Sequence, residues 1–374
     1  MGDFLESVQQ INDELACENC GAILKFKAGS HSLNCTYCGT TNEIKSPEEK
    51  ADVKETSLED YLARNFENEE KVVMPAVKCN SCGATSTLDK NISSDHCPFC
   101  NATLVITSGS TCTMHKPQYV VPFFIEEQDA LQRFKKWLNS LWFAPKDLIQ
   151  YADNSVKLNG MYLPYWTFDC ETLTSYTGQK GINYTVNESY TVREGGKTVT
   201  KMRPVTKTRW YSVAGRVKNL FDDILIEASK SVTINLLRKL EPWNLAKLEN
   251  YDDRYLSGYR TETYQVDLRA GYQLAKQRMD PVINETVRRD IGGDRQIVHF
   301  TSSEYIEPSF KHILLPVYIS AYRYKGKLYQ FVISGQSGRI RGHRPYSARK
   351  IAMAIVTALI TMGLVYVIIT YLNN

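Results

Sequence analysis

The chain has 374 residues, 43% hydrophobic and 23% charged, which allows two or three folded domains and excludes a disordered or low-complexity protein. Its formal net charge of +4 conceals a division: residues 1–115 hold 17 Asp and Glu against 9 Lys and Arg, leaving 24 acidic and 36 basic residues for the rest. An acidic first third argues against nucleic-acid binding there, because phosphate binding needs a basic surface.

The opening residues 1–15 are charged and amphipathic and do not read as a secretory signal. Phe4, Leu5, Val8, Ile11 and Leu15 fall on one stripe and predict a short helix over residues 3–15. Next come Cys17 and Cys20, then Cys35 and Cys38, two Cys-x-x-Cys pairs separated by fourteen residues. The same pattern with the same internal spacing returns as Cys79 and Cys82, then Cys97 and Cys100. This is four-thiolate zinc spacing: each pair turns two sulfurs toward one tetrahedral ion, and a short hairpin brings the second pair opposite. Gly21, Gly39 and Gly83 follow three of the pairs, where a tight turn calls for positive φ, and Asn101, the next most tolerant residue, follows the fourth. Disulfides are the alternative use of these cysteines, and nothing else in the chain suggests secretion. Two structural Zn2+ ions are therefore expected, each closed by four cysteines with no open coordination position.

These motifs divide the front of the chain into a helix with a first zinc ribbon (1–42), a charged linker (43–75) and a second ribbon (76–110). In the linker, Ser57-Leu58-Glu59-Asp60 resembles a capping box, and Leu58, Tyr61, Leu62 and Phe66 follow at helical spacing. Residues 117–345 predict a β-rich α+β domain. It opens with a helix over 126–142 that places Ala130, Leu131, Phe134, Leu138 and Leu141 on one face. Period-two patterning then runs from 158 to 225, with Gly195-Gly196 marking a hairpin turn. The longest helical pattern covers 267–291, capped by Asp267 and stopped by Gly292-Gly293, with Pro281 expected to kink or split it. Strands resume around a Lys325-Gly326 turn.

The final segment, 346–374, is different in kind. Ile351 to Leu372 is 22 residues without a charge. At ~1.5 Å per residue it spans about 33 Å, enough to cross a bilayer core of ~30 Å. Arg339, Arg341, Arg344, Arg349 and Lys350 precede it, so the positive-inside rule puts residues 1–350 in the cytoplasm. The expected location is a single-pass, tail-anchored protein of the inner membrane. The same basic cluster suits either a stop signal or recognition of anionic lipid, and the sequence does not separate the two.

No catalytic motif emerges. Gly196-Lys197-Thr198 ends like a P-loop, but Thr191 stands where the first glycine belongs and the context is strand–turn–strand. Gly335-Gln336-Ser337-Gly338 is not a nucleophile elbow, because Arg339 occupies the last glycine position. His31 and His96 lie near ligand sets that are already complete. Asp169, Glu171, Asp222 and Asp223 read first as structural or solvated carboxylates.

Trp137–Pro145, Gly160–Asp169, Tyr176–Gly181, Phe221–Leu225, Ile291–Asp294, Phe310–Val317 and Gly335–Gly338 carry a family resemblance. From the first ribbon to the anchor the chain resembles the bacterial TFIIB-type zinc-ribbon membrane proteins, often labelled primosomal-helicase-like or replication factor Y. The helicase label does not suit a chain without a nucleotide-binding loop. The resemblance implies association with phage-shock-type and flotillin-like (SPFH) proteins in membrane maintenance, and it carries over the eight cysteines as zinc ligands. It supplies no catalytic residue. The expected function is a non-enzymatic scaffold that recruits protein partners to the inner face of the membrane, with no small-molecule substrate. The alternative is a membrane-tethered nucleic-acid binder, which the acidic ribbons make the weaker reading.

Overall fold

Three strands of unusual length carry the structure: Asn159–Glu194, Lys197–Glu227 and Arg295–Tyr324. The computed structural model describes residues 15–44, 53–63, 71–87, 94–105, 111–145, 147–148 and 157–372. The expected helix over 3–15 lies outside these residues except for Leu15. The first long strand is central, antiparallel to the second from Tyr165 to Glu194 and to the third from Asn159 to Gly181. A fourth strand, Lys327–Ser334, continues beyond the third, and the short Tyr119–Val120 runs parallel to Ile313–Leu314. The class is α+β with antiparallel hairpins, and both turns lie where the glycines predict them. Gly195 and Gly196 have φ of 59° and 82°, Lys325 and Gly326 50° and 78°, the geometry of a two-residue hairpin loop. The period-two patterning from 158 to 225 belongs to two continuous strands on either side of the Gly195-Gly196 turn. Register shifts beside Asp169 and at Thr177/Gly178 interrupt the ladders and let strands this long bend.

Both faces of the body half of the sheet are covered. On one face, Tyr162, Leu314, Tyr318 and Phe331 pack with Phe134 and Leu138 of the helix Glu127–Ser140. Farther along the same face, Trp166, Phe168 and Phe310 receive Ala275, Met279 and Ile283 of the helix Leu268–Ile291. The opposite face presents Met161, Leu163, Tyr165, Ile313, Leu315 and Val317 to a second layer. Alternation of side chains along each strand explains this sorting, and burial on both faces explains why these strands read as nearly continuous apolar runs.

The helix Leu268–Ile291 is capped by Asp267, whose carboxylate accepts from the Ala270 amide at 2.8 Å, and it ends on Gly292 with φ of 65°. It runs on through Pro281, correcting the expected split. Pro281 and Gln277, four residues earlier, are exposed, so the carbonyl that loses its partner faces water.

Prolines inside the central strands have a similar account. The echoing segments Leu163-Pro164 and Leu315-Pro316 are neighbours in one ladder, with Leu163 opposite Leu315. Pro164 lies one residue before the ladder with the second long strand begins, at Tyr165 and Glu227, and Pro316 one residue before the ladder with Lys327–Ser334, at Val317 and Ser334. Their carbonyls accept from Ala228 and Gly335 on those outer sides, which is where the missing N–H groups would point. Each proline sits where the outer strand has stopped.

Ala348–Leu372 is one helix, long and apolar enough to cross a membrane, with no buried residue.

Candidate metal centres and the groups packed around them

The eight predicted cysteines gather into two groups of four, each with its sulfurs within 4.8 Å of one another. In the first, Cys17 and Cys38 sulfurs are 3.6 Å apart, and Cys20 and Cys35 sulfurs 3.5 Å. In the second, Cys79–Cys100 and Cys82–Cys97 are both 3.6 Å apart. A metal ~2.3 Å from four tetrahedral sulfurs places them about 3.8 Å apart, so both sets fit one ion each. They are far too long for disulfides, whose sulfurs lie ~2.05 Å apart.

One turn builds all four corners. The amide after each pair donates to the carbonyl of the first cysteine: Gly21 to Cys17, Gly39 to Cys35, Gly83 to Cys79 and Asn101 to Cys97, at 2.8 to 3.0 Å. Each first cysteine's amide donates in turn to a carbonyl five residues on. Gly21, Gly39, Gly83 and Asn101 all have positive φ, from 59° to 78°, as predicted from their positions. Thr40 aids the first group, its hydroxyl lying 3.1 Å from the Cys38 sulfur and pulling that thiol down to about 5. Burial works against the Cys79 thiolate, but the amides of Cys82 and Ser81 outweigh it and bring the thiol to about 7.

Neither group stands free of the body. Around the first, Phe26 donates its amide to the Ser257 carbonyl at 3.0 Å, and Gly29 donates to Phe123 at 2.8 Å. Phe26 packs edge-on against Tyr255, and His31 turns to the Tyr255 hydroxyl at 3.4 Å. Around the second, Phe99 is fully buried and its carbonyl accepts from the Gln330 amide at 2.6 Å. Cys79, Cys97 and Cys100 share a core with Leu163, Tyr165, Ile313 and Val332. The second group therefore seals one face of the sheet. The first covers one end of the other face and keeps Cys20 and Cys38 exposed, together with Tyr37 at 86% and Ile23 at 61% exposure.

The connector is also tied down. Thr56–Ser57 pairs with Ser309–Phe310, the Ser57 hydroxyl accepts from the Asp60 amide as the capping pattern predicts, and Leu58 is buried. Beneath it lies a charged cluster absent from the sequence reading. Lys311, only 4% exposed, reaches Asp223 at 2.8 Å, Asp169 at 3.1 Å and Glu55 at 3.2 Å. Burial pushes the Asp169 carboxyl up to about 6, against the Asp223 amide and the Lys311 ammonium that stabilise its charge. Burial likewise opposes the Lys311 charge, but Asp223 and Asp169 outweigh it and hold the amine above its ordinary range. Glu171 is elsewhere, paired with Lys218 at 2.6 Å, and His312 packs on Trp166 with ring centres 4.2 Å apart. Asp169, Glu171 and His312 thus do not converge. The only signal for the cluster was a lysine inside an apolar strand, Phe310-Lys311-His312-Ile313; its register partner is Thr167, and Asp169 sits at the bulge opposite Ser309.

Among curated proteins, the chain is 26% identical over 337 residues to the uncharacterized protein YdjG of Bacillus subtilis (strain 168), covering 90% of this chain and 91% of that one. No family model matches the chain, and no solved structure matches it.

Proposed function

We propose that the chain is a membrane-tethered, cytoplasmic zinc-ribbon scaffold without catalytic activity of its own. Zinc is assigned because four thiolates at tetrahedral spacing suit it and leave no position for a substrate. The C-terminal helix is the tether, and the basic residues before it keep the body in the cytoplasm. The carrying observation is the asymmetry of the first cysteine group: its inner half is packed into the body, while Tyr37 and Ile23 project into solvent beside the closed metal site. Large apolar side chains held on a metal-braced turn suit a protein partner. The family resemblance directs the search first to phage-shock-type and SPFH proteins.

Purification of the full chain in mild detergent tests this. Two zinc ions per chain and stoichiometric co-purifying protein are expected. The Ile23→Asp/Tyr37→Ala variant should keep both metals and lose the partner. An unchanged partner set in that variant, or no partner above background, would sink the scaffold reading. Deleting the cysteine segments is a poor substitute, because it strips one face of the sheet.

A second reading, nucleic-acid binding, is favoured by one feature away from the cysteines. Beyond Gly181 the first two long strands continue alone as a hairpin arm, from Ile182 opposite Arg209 to Glu194 opposite Lys197. Residues 182–209 hold six Lys and Arg against two Glu. Arg203 stacks over Tyr190 at 5.5 Å and Arg209 over Tyr184 at 5.2 Å, the mixture of cation and aromatic face that single-stranded nucleic acid uses.

A further inference from the structure

We infer that the cleft at the root of the C-terminal helix binds the phosphate of an anionic phospholipid headgroup. The cleft has a volume of about 1080 Å³ and brings together two parts of the chain far apart in sequence. Lys325 and Lys327 come from the hairpin that ends the third long strand; Arg344, Arg349 and Lys350 come from the segment leading into the helix. Asp147 is the carboxylate among the lining residues, and it is engaged: the Tyr324 hydroxyl donates to it at 2.6 Å and Lys325 lies 3.7 Å away. Five cationic side chains thus line one concave space with one acid, and Lys325 is the cation set against that acid. Lys and Arg converging in this way are the usual recognition set for a phosphate oxygen.

Depth decides which phosphate. This inference rests on reading the C-terminal helix as membrane-spanning. Its uncharged stretch, residues 351–372, fills the hydrocarbon core at ~1.5 Å per residue, which puts Arg349 and Lys350 at headgroup level. Lys350 is fixed there by two bonds from its ammonium, to the Trp142 carbonyl at 2.9 Å and the Ala144 carbonyl at 2.7 Å. The Ser347 amide donates to the Phe143 carbonyl at 2.8 Å. These bonds lash the 142–144 loop to the helix root, so Trp142, 73% exposed, and Tyr346, 59% exposed, stand beside the cleft at the depth where aromatic side chains favour the bilayer interface. Lipid phosphate is concentrated in that plane, at the level of Arg349 and Lys350 in the cleft lining.

The test uses the full chain in mixed micelles containing phosphatidylglycerol or phosphatidylcholine, with bound lipid counted by native mass spectrometry. Preferential retention of phosphatidylglycerol is expected. The Lys325→Asn/Lys327→Gln variant, with asparagine chosen for the positive φ at 325, should weaken it about thirtyfold, from about 1 kcal/mol per lysine. Arg193→Gln/Lys197→Gln removes the same charge at the distant hairpin turn and should change nothing. Equal loss in both variants, no loss in the cleft variant, or equal retention of phosphatidylcholine would overturn the proposal. Millimolar inorganic phosphate should leave the lipid in place; displacement by phosphate would reassign the cleft to free anions and overturn the lipid assignment. Failure of the membrane reading is separable, since the chain would then be soluble before any lipid is added.

Discussion

Glu262 is fully buried, and its carboxylate accepts from the Ser231 hydroxyl and from the Gln265 side-chain amide at 2.8 Å. Burial pushes its carboxyl up to about 7, against the hydroxyls of Ser229 and Ser231, which favour the charged form. A folded-state pKa above the ordinary 4.5 means that folding takes up a proton. The stability this group contributes is full below about pH 4.5 and is lost as pH rises toward 7. Glu262→Gln keeps the shape without the charge. It should raise stability at pH 8 by roughly 2–3 kcal/mol and flatten the loss between pH 4.5 and 7. Thermal unfolding of the full chain in detergent at pH 5 and pH 8 measures this. An identical pH dependence in the two proteins would show that Glu262 carries no such penalty. Asp169, also raised, should leave a residual slope in the variant between about pH 4 and 6.

At the scale of elements, the hairpin arm is the least supported part of the sheet. Its thirteen residue pairs extend past the start of the third long strand, a reach of roughly 43 Å at ~3.3 Å per residue. It lies at the opposite end of the third strand from the cleft at Lys325. Its cross-strand pairs are local: Lys207 with Glu188 at 2.8 Å, and the two arginines on tyrosines. Arg203→Glu/Arg209→Glu should therefore leave the unfolding temperature nearly unchanged, because both side chains are exposed. If the arm binds single-stranded nucleic acid, the wild-type chain should bind an oligonucleotide with strong salt dependence and the variant at least tenfold more weakly. No binding by wild type at low salt, read by fluorescence anisotropy, would leave the scaffold reading without this competitor.

The whole molecule sets the hairpin arm and the membrane-length helix at opposite ends of its longest strands. The third long strand alone has 30 residues, a contour of about 100 Å, with the basic cleft and the apolar helix at its finish and the arm beyond its start. Among the described residues nothing covers the C-terminal helix, whose apolar side chains are exposed along its length. Removing it costs the body little, since its ties lie at the root, through Ser347 and Lys350. A chain ending at residue 350, which keeps both ties, should be soluble and monodisperse, whereas the full chain should sediment with membranes and resist extraction by high salt. Full-length chain in the soluble fraction after lysis would remove the membrane from the proposal, and the lipid cleft with it.

Sequence alone determined what depends on spacing within a few residues. The eight cysteines, the four positive-φ positions after them, the two hairpin turns, the Asp267 cap and the uncharged C-terminal helix are each set by local geometry or by unbroken hydrophobicity. Tertiary structure decided what depends on residues far apart. Lys311 meets Glu55 across more than 250 positions, Lys325 meets Arg349 in one cleft, and the cysteine groups become part of the core by packing on strands that follow them in sequence. Such contacts leave no periodic trace, because each partner's own segment looks the same whether or not the other arrives. They are fixed only when burial of the sheet's two faces selects which segments cover it.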